Sequence, residues 1–177
     1  MSDDDPGFEP AGTDAENGPW LSDRQQVVWR RWLAMWRMVD ARIERDMQQH
    51  GGMPFAYYLV LAMLSEAPDR QMRMNRLSEI VGFSQSRLSH AVARLEALGW
   101  VRREQAEGDR RGQIAGLTDA GLERLKKVAP LHAETVRASL FDPLSDEQLG
   151  ALESIFDAIQ AQESDYERQM REIDPQR

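Results

Sequence analysis

Residues 75–121 read NRLSEIVGFSQSRLSHAVARLEALGWVRREQAEGDRRGQIAGLTDAG. Asn75 is a good N-cap, and Leu77, Ile80 and Val81 share one face at i, i+3 and i+4 spacing, which predicts a short helix. Gly82 supplies the backbone freedom a sharp turn needs, and Phe83 is placed to plug the angle to the next helix. Ser84 caps a second helix over residues 84–98, in which Leu88, Ala91, Val92, Leu95 and Leu98 form one apolar stripe, and Gly99 ends it. Residues 100–105 then combine apolar and charged side chains as a first strand, Glu107-Gly108-Asp109 is a turn signal, and residues 113–117 return as a second strand. Two angled helices followed by a two-stranded hairpin are the outline of a winged helix-turn-helix. That device lays one helix in a DNA major groove with a hairpin tip beside it.

The polar face of the second helix carries Ser84, Gln85, Ser86, Arg87, Ser89, His90 and Arg94. These are short or fork-shaped hydrogen-bonding side chains, suited to base edges and phosphates. A capping box would place Glu or Gln three residues after Ser84, yet Arg87 stands there. A cation at the positive end of a helix dipole is unfavourable by a few tenths of a kcal/mol, and a phosphate or guanine beside it removes the conflict. Glu96 is this helix's one acid, near its C-terminal end, where it is expected to point away from a duplex. On the hairpin lie Arg102, Arg103, Arg110 and Arg111, the last two at the tip, where an arginine is well placed to enter a narrow minor groove. The wing site is therefore Asp109, Arg110 and Arg111, with Asp109 pairing one of its arginine neighbours or serving as a plain turn residue.

The chain's formal charge of −8 is unevenly spread. Residues 70–112 hold nine arginines against five acids, a net of +4, so the remainder carries −12. Residues 1–19 alone contribute six acids and no base. Focused positive charge of this kind favours one docking orientation on double-stranded DNA and weakens nonspecific binding.

The flanks read as scaffold, giving an architecture that is mainly α with a small β-hairpin wing. Residues 1–20, rich in Asp, Glu, Gly and Pro, are expected to form a disordered acidic tail. Residues 21–53 are expected to form a long dimerisation helix from Ser22, with Val28, Trp32, Met35, Trp36, Val39, Ile43 and Met47 at helical spacing. The winged module is assigned to residues 54–118 and opens with a mostly apolar helix over residues 55–66. Residues 119–177 carry two further helices. Thr118 caps the first, whose apolar positions are Leu122, Leu125, Val128, Val136 and Leu140, and Pro130 is expected to kink or split it. Ser145 and Gln148 form a capping box for the last, which carries Leu149, Leu152, Phe156 and Ile159 and is expected to fray toward its polar end. Trp20, Trp29, Trp32 and Trp36 are costly to leave wet, which points to a homodimer built from the outer helices rather than a monomer folded back on itself.

The run RMNRLSEIVGFSQSRLSHAVARLEALGWVRRE, followed by GDRRGQIAGLTDAG, resembles the MarR family of bacterial transcriptional regulators. The family's D-x-R wing signature is matched by Asp109-Arg110-Arg111, and its L-T-x-x-G strand end by Leu117-Thr118-Asp119-Ala120-Gly121. The likeness extends over residues 21–162; the long acidic tail and Trp100, where a smaller apolar residue is common, depart from the pattern. The resemblance implies a homodimeric repressor on a pseudo-palindromic operator, with half-sites one helical turn apart. It also implies response to a small aromatic or anionic effector, for which Trp32, Trp36, Tyr57 and Tyr58 are the candidate pocket residues, set against a plain core role. His50 and His132 are candidates for titration or anion contact, with ordinary core or surface roles as the alternative.

With no cysteine, disulfides, thiolate zinc sites and thiol peroxide sensing are excluded, and three scattered histidines argue against a metal-sensing site. No cofactor is expected. No apolar run has the length of a membrane span and the acidic N-terminus is wrong for a signal peptide, so the expected location is cytoplasmic. Metalloprotease, Walker, dinucleotide-binding and nucleophile-elbow motifs are absent, so no enzyme activity is expected. A nonspecific DNA-architectural protein of the same fold is the alternative, and the acidity outside the wing weighs against it. A protein-interaction module that uses the fold without DNA is disfavoured by the basic hairpin and the arginine-bearing helix.

Overall fold

The computed structural model describes residues 20–105 and 112–173. In chain order these form α1 (Asp23–Gln49), α2 (Phe55–Glu66), β1 (Gln71–Arg73), α3 (Met74–Val81), α4 (Gln85–Ala97), β2 (Val101–Gln105), β3 (Gln113–Leu117), α5 (Asp119–Val136) and α6 (Asp146–Ile173). A 3-10 turn at Pro68–Arg70 precedes β1, and a π-helical turn at Arg137–Phe141 follows α5. The chain divides into two compact units, residues 1–38 and 39–177. The expected tail, residues 1–19, lies outside the described residues.

In the first unit, Ser22 opens α1 with a reciprocal cap. Its N–H donates to Gln25 Oε1 at 2.9 Å, and the Gln25 N–H donates to Ser22 Oγ at 3.3 Å. The apolar stripe here is largely exposed: Val28 by 60%, Trp29 by 52% and Trp36 by 59%.

The second unit holds the core. The end of α1 buries Val39, Ile43 and Met47, and Glu44 Oε2 accepts from the Phe55 N–H at 3.1 Å, so a carboxylate of α1 closes the start of α2. Val60, Leu61 and Leu64 of α2, Leu77 of α3, and Leu88, Val92 and Leu95 of α4 are fully buried. Ala115 of β3 is fully buried as well, with Val101 and Leu117 nearly so. These side chains fix α4 by its inner face and leave its outer face to solvent.

Several expectations are corrected here. The first helix of the pair begins at Met74 with Arg73 in the N-cap position and no side-chain cap; Asn75 lies inside it and accepts from the Arg76 N–H. The cause is β1, which runs directly into α3 and sets its start. Ile80 and Leu98 are 41% and 51% exposed, and Val81 is half-buried. Each sits at a helix end, where the stripe runs past the neighbouring elements. β2 and β3 pair as the expected hairpin, and β1 adds to it to give a three-stranded antiparallel sheet of order β1-β3-β2, with Met72 opposite Ala115 and Arg103 opposite Ala115 from the other side. A three-residue strand carries too little alternation to announce itself.

Thr118 caps α5 as expected, its Oγ1 accepting from the Gly121 N–H at 3.0 Å. Gly121 is required at that place, because a Cβ there stands 2.1 Å from the Trp100 carbonyl oxygen. Pro130 does not split α5, and the irregular geometry falls later, in the π turn. The Ser145–Gln148 capping box forms, and α6 runs to Ile173.

Candidate nucleic-acid interface

The geometry of α4 begins at the turn before it. Gly82 takes the left-handed conformation at φ 67° and ψ 28°, which a side chain rarely adopts. The Gly82 and Phe83 N–H groups return to the Glu79 and Ser78 carbonyls at 3.3 and 3.1 Å and close α3. Ser84 then caps α4, its Oγ accepting from the Arg87 N–H at 3.3 Å. Across the turn, Gln85 Nε2 donates to the buried Ser78 Oγ at 2.8 Å and ties the first turn of α4 to α3.

Ser84, Gln85, Ser86, Arg87, Ser89, His90 and Arg94 are all exposed, on the side of α4 opposite Leu88, Ala91, Val92 and Leu95. The polar face read from the sequence is therefore brought together on one surface. Three of its members have hydrogen-bond partners for their side chains within the protein, namely Gln85 on Ser78, Ser84 as the cap, and Ser86, whose Oγ is 3.2 Å from Ser84 Oγ.

Carboxylates sort the arginines of the module. Arg70 meets Asp119 at 3.1 Å, Arg76 meets Glu79 at 3.1 Å, and Arg102 meets Glu104 at 2.6 Å. Arg103 donates through Nε and Nη2 to Glu96 Oε2 at 2.9 and 2.7 Å. Glu96 thus faces the wing strand β2 and ties it to α4. By contrast, Arg87 and Arg94 have no carboxylate partner among the described residues. What the Arg87 guanidinium does meet is the face of Phe83, 4.2 Å from the ring centroid. This contact was missed in the sequence, although the four-residue spacing from Phe83 to Arg87 was its signal.

The wing residues Asp109, Arg110 and Arg111 lie outside the described residues. Arg102 lies along the wing backbone, its guanidinium carbon 2.9 Å from where a Cβ on Gly116 would stand. An open depression of about 570 Å³ beside the sheet is lined by Arg70, Arg102, Thr118 and Asp119, and both of its arginines are already paired.

The candidate effector residues fall in two places. Trp32 and Trp36 stand on the first part of α1, 39% and 59% exposed. On α2, Tyr57 is half-buried and Tyr58 is buried, its ring 4.4 Å from that of His132 and 6.0 Å from that of Phe55. His132 Nδ1 is buried with no hydrogen-bond partner among the described residues. Burial lowers the His132 pKa, since desolvation penalises the imidazolium. Burial, followed by the charge of Glu66, raises that of Tyr58. His50 is exposed.

A helix pair whose second member turns to solvent cations that lack a carboxylate among the described residues, backed by an antiparallel wing, defines a winged helix-turn-helix protein of the DNA-binding class. The sequence model of the MarR family matches residues 51–112. The uncharacterized HTH-type transcriptional regulator YkoM of Bacillus subtilis is 30% identical over 128 residues, which span 71% of this chain and 80% of that one. A MarR family regulator from Streptomyces coelicolor, solved in complex with DNA, is 43% identical with a TM-score of 0.74, covering 80% of this chain and 89% of its own. AbsC, a MarR family regulator of the same organism, is 39% identical with a TM-score of 0.73, covering 82% of this chain and 97% of its own. The chain belongs to the MarR family: it is a DNA-binding transcriptional regulator and not an enzyme. No helix among the described residues is long and apolar enough to cross a membrane.

Proposed function

We propose that this protein is a homodimeric repressor that reads a pseudo-palindromic operator through the outer face of α4. The observation that carries the reading is the sorting of the arginines. The pairs at Arg70, Arg76, Arg102 and Arg103 are satisfied within the module, and Arg87 and Arg94 are left for an external anion. Ser86, Ser89 and His90 stand beside them as hydrogen-bonding partners for bases and phosphates. Arg110 and Arg111 at the wing tip contact the minor groove and its phosphates, and a small aromatic or anionic effector adjusts the spacing of the two recognition helices.

Dimerisation is supported by the apolar surface one chain leaves exposed. Trp29 and Trp36 stand on α1, and Ile155 and Ile159 are 53% and 57% exposed on α6. A second copy related by a two-fold axis covers such faces and presents two copies of α4 to successive turns of one DNA face.

The test is selection from a random duplex library by the purified full chain at near-physiological salt. Enrichment of a pseudo-palindrome with half-sites about one turn apart is the expected result. Salt-sensitive binding with no enriched sequence points instead to an architectural protein of this fold.

A further inference from the structure

We propose that Phe83 is a positioning residue for sequence readout, its ring holding the Arg87 guanidinium in the orientation that meets a base edge. The proposal rests on the DNA-reading role of α4 given above and adds a residue to it that touches no DNA.

The start of α4 carries an electrostatic conflict. Arg87 occupies the third position of the helix, where the cap bond from its own N–H to Ser84 fixes the backbone. A guanidinium there faces the positive end of the helix dipole, and no carboxylate among the described residues offsets it. The compensation is the negative face of the Phe83 ring, whose centroid lies 4.2 Å from the guanidinium carbon, well inside the range of a cation–π contact.

The ring is itself held in place. The Phe83 N–H is bonded to the Ser78 carbonyl at 3.1 Å, and Gly82 before it sets the direction of the chain. In the usual arrangement at a helix start, an apolar residue just before the cap packs against the fourth helical position. That fourth position is Leu88, which is wholly buried, and the ring before the cap carries the cation at the third.

The consequence follows from the shape of the guanidinium. Its five N–H donors lie in its plane, and an attraction to its carbon from a ring leaves edges free for a bidentate acceptor such as guanine O6 and N7. An arginine fixed in this way loses less side-chain freedom on binding than one swinging in solvent.

The experiment uses the full chain, the selected duplex and single-base variants of it, with Phe83→Leu, Phe83→Tyr, Arg87→Ala and the Phe83→Leu/Arg87→Ala double variant. Phe83→Leu is expected to lower discrimination at the base read by Arg87 by about two- to fivefold, the range an exposed cation–π contact supports. Affinity for random DNA should stay unchanged, and Phe83→Tyr should restore discrimination. In the Arg87→Ala background, Phe83→Leu should add nothing. Equal losses on specific and random DNA, additive effects in the double variant, or sharper discrimination in Phe83→Leu overturn the proposal. The free protein supplies a separate reading, an upfield ring-current shift of the Arg87 Nε–H signal that disappears in Phe83→Leu. If that shift is present but the wild-type chain selects no sequence, the DNA-reading role fails and the proposal falls with it. If sequence is selected and the shift is absent, the positioning role alone fails.

Discussion

At the scale of single residues, Arg70, Arg76, Arg102 and Arg103 are held by carboxylates, while Arg87 and Arg94 meet none among the described residues. Arg87→Ala is expected to cost roughly 1–3 kcal/mol on the specific site and to relax the sequence preference there. Competition binding against random duplex checks this, since an equal loss on both would assign Arg87 to a phosphate. Gly121 shows a different constraint. A Cβ there meets the Trp100 carbonyl oxygen at 2.1 Å and Leu117 at 2.8 Å, so Gly121→Ala forces the start of α5 away from the wing. The expected loss is about 1–3 kcal/mol, read from denaturant unfolding with an unchanged m-value. The cap at Ser84 was legible because its partner is three residues away. The bond from Gln85 to Ser78 crosses a turn whose angle no local pattern specifies.

At the scale of elements, the wing is joined to the recognition helix by Arg103 and Glu96 and to the rest of the module by β1. The wing tip is the place to test electrostatics: Arg111→Ala should weaken binding to all duplexes and reduce the salt slope by about 1. A slope equal to the wild type's would remove Arg111 from the set of phosphate contacts. Where α5 packs on α2, His132 predicts an acid sensitivity. Its folded pKa lies below the ordinary 6.5, because burial against Tyr58 and Phe55 disfavours the imidazolium. The unfolded chain therefore binds the proton more readily, and the stability from the neutral ring is complete above about pH 6.5 and lost as pH falls through the folded value. Thermal midpoints between about pH 7.5 and 5.5 should drop more steeply for the wild type than for His132→Phe. Parallel pH profiles for the two would assign the acid sensitivity elsewhere.

At the scale of the whole molecule, the apolar faces of α1 and α6 and the acidic residues 1–19 make separable predictions. Trp36→Glu places a charge on an exposed aromatic face and is expected to shift sedimentation toward the monomer. Removal of residues 1–19, which contain six acids and no large apolar cluster, should leave the dimer and its unfolding midpoint unchanged. A monomer after that truncation would place the tail in the interface.

The sequence by itself determined the order of the helices and of the two hairpin strands, the caps at Ser84, Thr118 and Ser145, and the inward stripe of α4. Each of these rests on interactions within four residues, so a linear pattern records them. It also set apart the polar face of α4, since a helix that buries Leu88, Val92 and Leu95 must turn the opposite side outward. Only the tertiary structure decided that Gln71–Arg73 completes the sheet, that Glu96 holds Arg103, and that Arg87 and Arg94 have no carboxylate among the described residues. Those outcomes depend on which charges and strands the packed core brings within a few ångströms of one another, and that proximity has no period along the chain.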